Sequence, residues 1–348
     1  MLFQPDLFSK SRPEWIKLGD FMLSELELVL NRLPKDLLPF QCDPLQSGAL
    51  GINSKNFRLC TAKGDFVLKQ WSDQATFQDI RNTLNIMFWL ASQNLPVPAP
   101  VTLGQDNFAI SVGSGRWSLF PFIEGAYFSG AANELASAAE ATGQLMEALL
   151  RLPTNYSPQQ GPDQMTEENA LILGRMHKVS GTWDNLVGEE NAELLALSWP
   201  TLIHEWKNLS STKLPNSRVQ ASHFDLHPHN LLVAGGKVVA VLDFEACKVM
   251  PVGFALGFAA LKQCRQAMAL PGLTANPREV GSFYTDHLLR SCPGARDLSS
   301  HLGSFAVAEV MRRICSIFRL NLENGEKKWN RVLEVQLRHL YEARALFT

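Results

Sequence analysis

The 348 residues are 46% hydrophobic and 19% charged, which describes an ordinary globular chain with enough apolar material for a sizeable core and the length for two lobes. A net charge of −2 gives no electrostatic case for nucleic acid or a membrane surface as partner, and no window is long and apolar enough to span a bilayer. The six cysteines are scattered without a C-x-x-C pair and the first residues hold no sustained apolar run, so a cytoplasmic protein with reduced thiols and no signal peptide is expected.

In chain order, Ser11-Arg12-Pro13-Glu14 has the spacing of a capping box and predicts a helix over 13–32, followed by a Pro-rich, irregular piece over 33–46. Residues 1–44 therefore read as an N-terminal helical extension. From 45 to 125 the signals change to short strands. Gly48-Ala49-Leu50-Gly51-Ile52-Asn53-Ser54 reads as a flexible loop between hairpin strands, able to bring backbone N–H groups near phosphates or to serve as a plain turn. In Phe66-Val67-Leu68-Lys69 the alternation puts Lys69 on the face opposite Phe66 and Leu68. A helix over 72–92 ends in Asn94-Leu95-Pro96-Val97-Pro98-Ala99-Pro100. A hairpin ending in Phe120-Pro121-Phe122-Ile123-Glu124-Gly125 completes this lobe. Beyond it, over 126–348, the period is helical: 133–152, 166–178, 189–209, 303–319 and 328–346 carry apolar residues at three- and four-residue spacing.

The chemistry concentrates in Ser222–Glu245, which holds three histidines, three carboxylates and one Asn. Leu231–Ala234 and Lys237–Phe244 read as strands joined by Gly235-Gly236, a pair suited to positive φ. If Ala234 faces Lys237 in a regular ladder, Asn230 faces Val241, and Asp243 shares their side of the ribbon roughly 7 Å further on. Asp225 arrives on the preceding loop. An Asn and an Asp so held suit Mg²⁺, which prefers oxygen ligands, and a third carboxylate nearby suits a base for a hydroxyl proton. The alternative from the same residues is a zinc site of a hydrolase, built on His223, His227 and His229 with Asp225.

The spelling H-F-D-L-H-P-H-N-L-L with L-D-F-E thirteen residues after Asn230 resembles the aminoglycoside phosphotransferase, choline kinase and homoserine kinase branch of the protein-kinase-like fold. The resemblance implies an α+β, bilobal chain with a five-stranded antiparallel small lobe carrying one helix and a mainly helical large lobe. It further implies an ATP- and Mg²⁺-dependent transfer of phosphate to the hydroxyl of a small-molecule acceptor. Asp225 would be the catalytic carboxylate, Asn230 and Asp243 the metal ligands, and Lys69 the phosphate-binding lysine. Phe120, Phe122 and Ile123 would form the hinge at the adenine, with Gly48 and Asn53 in the phosphate loop. Two positions depart from the pattern: Thr83 stands where the lysine's acidic partner is expected, with Asp79 a substitute one turn earlier, and Phe254 stands where an Asp would brace the catalytic loop. These departures also admit a nucleotide-binding protein with weak catalysis.

Overall fold

The computed structural model describes residues 14–15, 23–46, 55–103, 107–154, 156, 158–161, 167–212, 214–272 and 275–347. The small lobe contains β1 (Glu14–Trp15), α1 (Leu23–Leu30), β2 (Pro39–Gln46), β3 (Lys55–Thr61), β4 (Gly64–Gln70), α2 (Phe77–Ser92), β5 (Ile110–Val112) and β6 (Gly115–Pro121). Its six strands form one antiparallel sheet in the order β1-β2-β3-β4-β6-β5. The strand beyond the expected five is the two-residue β1, which pairs Glu14 with Gln46 and Trp15 with Leu45.

Alternation along β4 sorts the two faces of this sheet. Phe66 and Leu68 join one apolar cluster with Leu26 and Val29 of α1, while Val67 packs against the other, which holds Ile80, Leu84 and Leu90 of α2. The helix expected over 13–32 is thus shorter, since Glu14–Trp15 is strand and the helix starts at Leu23. The piece expected to be irregular over 33–46 contains β2. Pro44 is tolerated there because β1 opposes only Leu45 and Gln46, so among the described residues Pro44 has no outer neighbour that would need its N–H. α2 begins at Phe77 because Thr76 caps it, in a capping box with Asp79.

The large lobe comprises β7 (Ala126–Tyr127), α3 (Ala132–Leu150), β8 (Gln159–Gln160), α4 (Glu167–Lys178), α5 (Trp183–Val187), α6 (Glu189–Ser211), β9 (Val219–His223), β10 (Leu231–Ala234), β11 (Lys237–Val241), β12 (Cys247–Pro251), α7 (Val252–Met268), α8 (Pro277–Ser291), α9 (Leu302–Asn324) and α10 (Leu333–Phe347). α7 is buried along almost its whole length. It lies close against α9 because Gly257 leaves no side chain at the crossing: a Cβ there would stand 2.7 Å from the Ala306 nitrogen and the Leu302 carbonyl. Two three-stranded sheets, β11-β10-β7 and β8-β12-β9, sit above this layer and carry the residues of 222–245. Among the described residues no helix is long and apolar enough to cross a membrane.

Candidate active site

The β10–β11 hairpin turns at Gly235 (φ 58°) and Gly236 (φ 76°), with Ala234 opposite Lys237 as expected. The regular ladder does not continue. Leu232 pairs with Ala240 while Val233 pairs with Val238, so Val239 is an extra residue, a β-bulge. The bulge moves the register by one. Leu231 faces Val241, and Asn230 accepts from the Leu242 N–H at 2.8 Å, so the expected Asn230–Val241 pairing is corrected. A one-residue shift on a regular pleat would turn Asp243 to the opposite face. Asp243 instead leaves the strand in the left-handed region (φ 61°, ψ 53°), a conformation that Asp tolerates better than most residues and that re-aims its side chain.

The loop before the hairpin is held from inside. His223, fully buried, points its Nε2 at the Leu242 carbonyl at 2.8 Å, and its Nδ1 accepts from the Asp225 N–H at 3.4 Å. That pair of bonds assigns the neutral tautomer with the proton on Nε2. Burial pulls the His223 pKa below its ordinary value, although the Leu242 carbonyl and the Asp243 and Asp225 charges oppose the shift. Asn230 donates its amide nitrogen to the Asp225 carbonyl at 2.8 Å, which fixes the amide plane and leaves its side-chain oxygen as the group to offer a ligand. Phe244 packs edge-on against His223, with ring centroids 5.0 Å apart.

Asp225 has a basic partner on each oxygen: Arg313 of α9 lies 3.3 Å from Oδ1 and the His227 ring 3.6 Å from Oδ2. Burial alone would raise the carboxyl pKa, but His227, Arg313, His223 and Lys262 together outweigh it and hold the group below its ordinary value. Arg313 also donates to the Phe224 carbonyl at 3.2 Å, and its Nε donates to Glu309 at 2.8 Å. The brace expected at 254 is not a carboxylate: Phe254 is buried edge-on against Phe305, with centroids 5.2 Å apart.

Lys69 of β4 reaches across to the large lobe. Its ammonium lies 2.5 Å from Glu245 and 3.8 Å from Asp243, above the Trp71 ring at 4.7 Å. Burial alone would lower the Lys69 pKa, and the two carboxylates overcome it and raise it. The acidic partner sought on α2 is therefore Glu245, the last residue of D-F-E. Asp79 does not substitute, because its carboxylate accepts from the Thr76 hydroxyl and N–H at the helix cap.

At the end of β6, Phe120 is buried opposite Val67. The Phe122 N–H is already donated to the Asp65 carbonyl at 2.9 Å, and its ring carries the Arg58 guanidinium at 4.3 Å. Phe122 cannot give that N–H to an adenine without breaking the sheet bond, so the candidate hinge donor moves to Ile123. Gly48 and Asn53 lie outside the described residues.

Asp243 is half exposed and Asn230 presents an amide oxygen, so the donor set is one of hard oxygens and fits a cation such as Mg²⁺. The histidines do not gather as a zinc site. His223 has both ring nitrogens engaged, His227 accepts from the His229 N–H at 3.2 Å, and His229 lies edge-on to Tyr127. Among the described residues no group of three or more His, Cys, Asp or Glu is placed to hold a metal ion. Glu309 is fully buried and held by Arg312 and Arg313, so it is not open to an acceptor.

The residues missed from sequence are Glu245 as the Lys69 partner and Arg313 as the Asp225 partner. The first stood inside the motif already singled out. The second lies 88 positions from its partner, and no local signal joins them.

The pattern of the phosphotransferase enzyme family matches residues 45–275. A homoserine kinase of Bradyrhizobium diazoefficiens is 27% identical over 207 residues, 58% of this chain and 58% of the relative. A homoserine kinase of Granulibacter bethesdensis is 23% identical over 202 residues, 56% of this chain and 57% of the relative. The matched stretch thus spans little more than half the length of these curated relatives. Among solved structures, the amicoumacin kinase hAmiN in complex with AMP-PNP, Ca²⁺ and Ami superposes with a TM-score of 0.61 at 12% identity, covering 93% of this chain and 95% of that one. A microcompartment-associated aminopropanol kinase gives a TM-score of 0.60 at 15% identity, covering 94% and 99%. The choline kinase of Cryptosporidium parvum gives 0.56 at 12%, covering 92% and 95%. The fold is the α+β, bilobal kinase-like one.

Proposed function

The chain belongs to the phosphotransferase enzyme family, and from that premise we propose that it moves the γ-phosphate of ATP, with Mg²⁺, to a hydroxyl of a small molecule. The observation that carries this reading is Lys69 of the small lobe meeting Asp243 and Glu245 of the large lobe, beside the loop that bears Asp225. A lysine in that position makes charge-assisted contacts to nucleotide phosphates. Asn230 and Asp243 would hold the metal, which when bound neutralises phosphate charge. Ile123 would offer its N–H to the adenine edge, and Phe120 would pack beneath it.

Asp225 is the group placed to take the acceptor hydroxyl. Held below the ordinary carboxylate range, it is a weak Brønsted base, so its main contribution is to orient the hydroxyl and accept the proton late. That suits phosphoryl transfer, whose loose transition state draws its catalysis mostly from positioning and charge stabilisation. The reading of a nucleotide binder with weak catalysis rested on Thr83 and Phe254. It is disfavoured by Glu245 and Arg313, which supply a partner for Lys69 and for Asp225 from elsewhere in the fold.

The sequence relatives are homoserine kinases, so a hydroxy amino acid is the first acceptor to test, followed by amino alcohols, sugars and aminoglycosides. The test is acceptor-dependent ADP release from magnesium-ATP across such a panel. Release with at least one acceptor, lost in Asp225→Asn, is the expected result. No acceptor-dependent release from any of these classes, together with no magnesium-dependent nucleotide binding, overturns the proposal.

A further inference from the structure

We propose that Arg313, anchored by Glu309 on α9, is the residue that positions Asp225, an inference that rests on the reading of Asp225 given above. Four contacts make it a clamp. Its Nη2 reaches both the Phe224 carbonyl (3.2 Å) and the Asp225 carboxylate (3.3 Å), so it fixes backbone and side chain of the loop together. Its Nε is held by Glu309 at 2.8 Å, and its plane lies 3.8 Å from the Phe258 ring of α7. Arg312 takes the two Glu309 oxygens at 2.7 and 2.9 Å, which keeps that buried carboxylate in place. A planar guanidinium with several donors can bridge a carbonyl, a carboxylate and an anchor at once, which an ammonium cannot do.

On α7, Phe254 packs against Phe305 where a polar brace would otherwise stand, and Phe258 lies under the Arg313 guanidinium. Gln263 of α7 supports only the following residue, donating to the Leu226 carbonyl at 3.3 Å. The titratable and charged groups that face Asp225 are His223 and His227 from its own loop, Lys262 from α7 and Arg313 from α9. Of these, Arg313 is a permanent cation in direct contact with the carboxylate. Its removal should therefore change the orientation of Asp225. A residue that merely stabilised the fold would not change turnover in the molecules that remain folded.

The experiment compares the full chain with Arg313→Met, Arg313→Lys, Glu309→Gln, Asp225→Asn and the Arg313→Met/Asp225→Asn pair, reading magnesium-ATP turnover with homoserine, or with water as acceptor, beside a nucleotide-binding titration. In Arg313→Met turnover per folded molecule should fall about 10²-fold, the usual effect of misplacing a reacting group by an ångström or so, with nucleotide affinity unchanged. Arg313→Lys keeps the charge but not the fork and should restore only part of the loss. Glu309→Gln releases the anchor and should give the same loss in smaller measure; it also stands in if Arg313→Met does not fold. In the Asp225→Asn background Arg313→Met should cost little further turnover, because the group it positions is already disabled. Undiminished turnover in Arg313→Met, or in Glu309→Gln in its place, or a full additional loss in the pair, overturns the clamp. Undiminished turnover by Asp225→Asn alone instead overturns the role of Asp225, so the two failures are distinguishable.

Discussion

Replacing Lys69 by Met should separate its electrostatic role from its packing, because the two side chains are of similar length and the stem remains over Trp71. The ammonium is 15% exposed, 3.8 Å from Asp243 and 2.5 Å from Glu245, which is 32% exposed. At an effective dielectric of about 20, a pair near 4 Å attracts by about 4 kcal/mol. Desolvation of the buried ammonium cancels much of this, and a net loss of about 2 kcal/mol is expected for Lys69→Met, in the range of hydrogen bonds to charged groups. A double-mutant cycle with Glu245→Gln should return a coupling of about 1–2 kcal/mol. A loss of that size leaves a domain of ordinary stability folded. The functional effect should be disproportionate: the KM for ATP should rise and kcat should fall by at least about tenfold per folded molecule, since charge-assisted phosphate contacts are lost. Chemical denaturation and steady-state kinetics on the same samples supply both numbers. Full coupling to Glu245 with unaltered kinetics would leave Lys69 as a tie between the lobes and refute its phosphate role. The raised Lys69 pKa adds a pH signature. Its stabilisation is complete below the ordinary lysine value of 10.5 and is lost as pH climbs through the higher folded value, so Lys69→Met should lack that alkaline loss.

The other expectations are narrower. Asp225→Asn should lower turnover by at least ~10²-fold with little change in nucleotide affinity, checked by kinetics beside a calorimetric titration. Asp243→Ala should abolish magnesium-dependent ATP binding, and full affinity in that variant would remove Asp243 from the metal site. His223, buried neutral with its pKa lowered, contributes stability that is present above the unfolded value of about 6.5 and is lost as pH falls through it toward the folded value. His223→Gln should flatten that acid limb in denaturant unfolding while lowering stability at neutral pH. Gly257→Ala should destabilise by about 1–3 kcal/mol through backbone contacts at the α7–α9 crossing; a neutral result in thermal unfolding would mean that the two helices can separate freely.

Local signals carried most of the fold. The Gly235-Gly236 turn, the alternation in β4 and the three-and-four spacing of the large-lobe helices each act within a few residues, and each element formed about where its pattern ends. α8 was not read although its start is written in the chain: Asn276 caps it by accepting from the Arg278 N–H, and Pro277 follows at the first helical position. β2 was hidden by Pro39 and Pro44, residues that argue against a central strand but not against one whose outer neighbour is two residues long. Sequence alternation also cannot announce a bulge. Val238, Val239 and Ala240 are all acceptable strand residues, and nothing local says which of them is extra.

That unannounced residue bears on the chemistry more than the missed elements do. A regular hairpin would bring Asp243 to the Asn230 side by pleat alone, and the bulge at Val239 removes that guarantee. The αL conformation at Asp243 replaces it, and the surrounding bonds hold this uncommon backbone in place: His223 grips the Leu242 carbonyl, the Leu242 N–H grips Asn230, and Lys69 meets the Asp243 carboxylate from the other lobe. The site is therefore over-determined at the residue it strains. It is built from three separate parts of the chain, a small-lobe strand, the 222–245 segment and α9, and only the middle one has a signature in linear order. The contribution of Arg313 from α9 depends on the close crossing with α7 that Gly257 permits. A substitution that pushes these helices apart should therefore impair Asp225 from a distance, lowering turnover without weakening nucleotide binding.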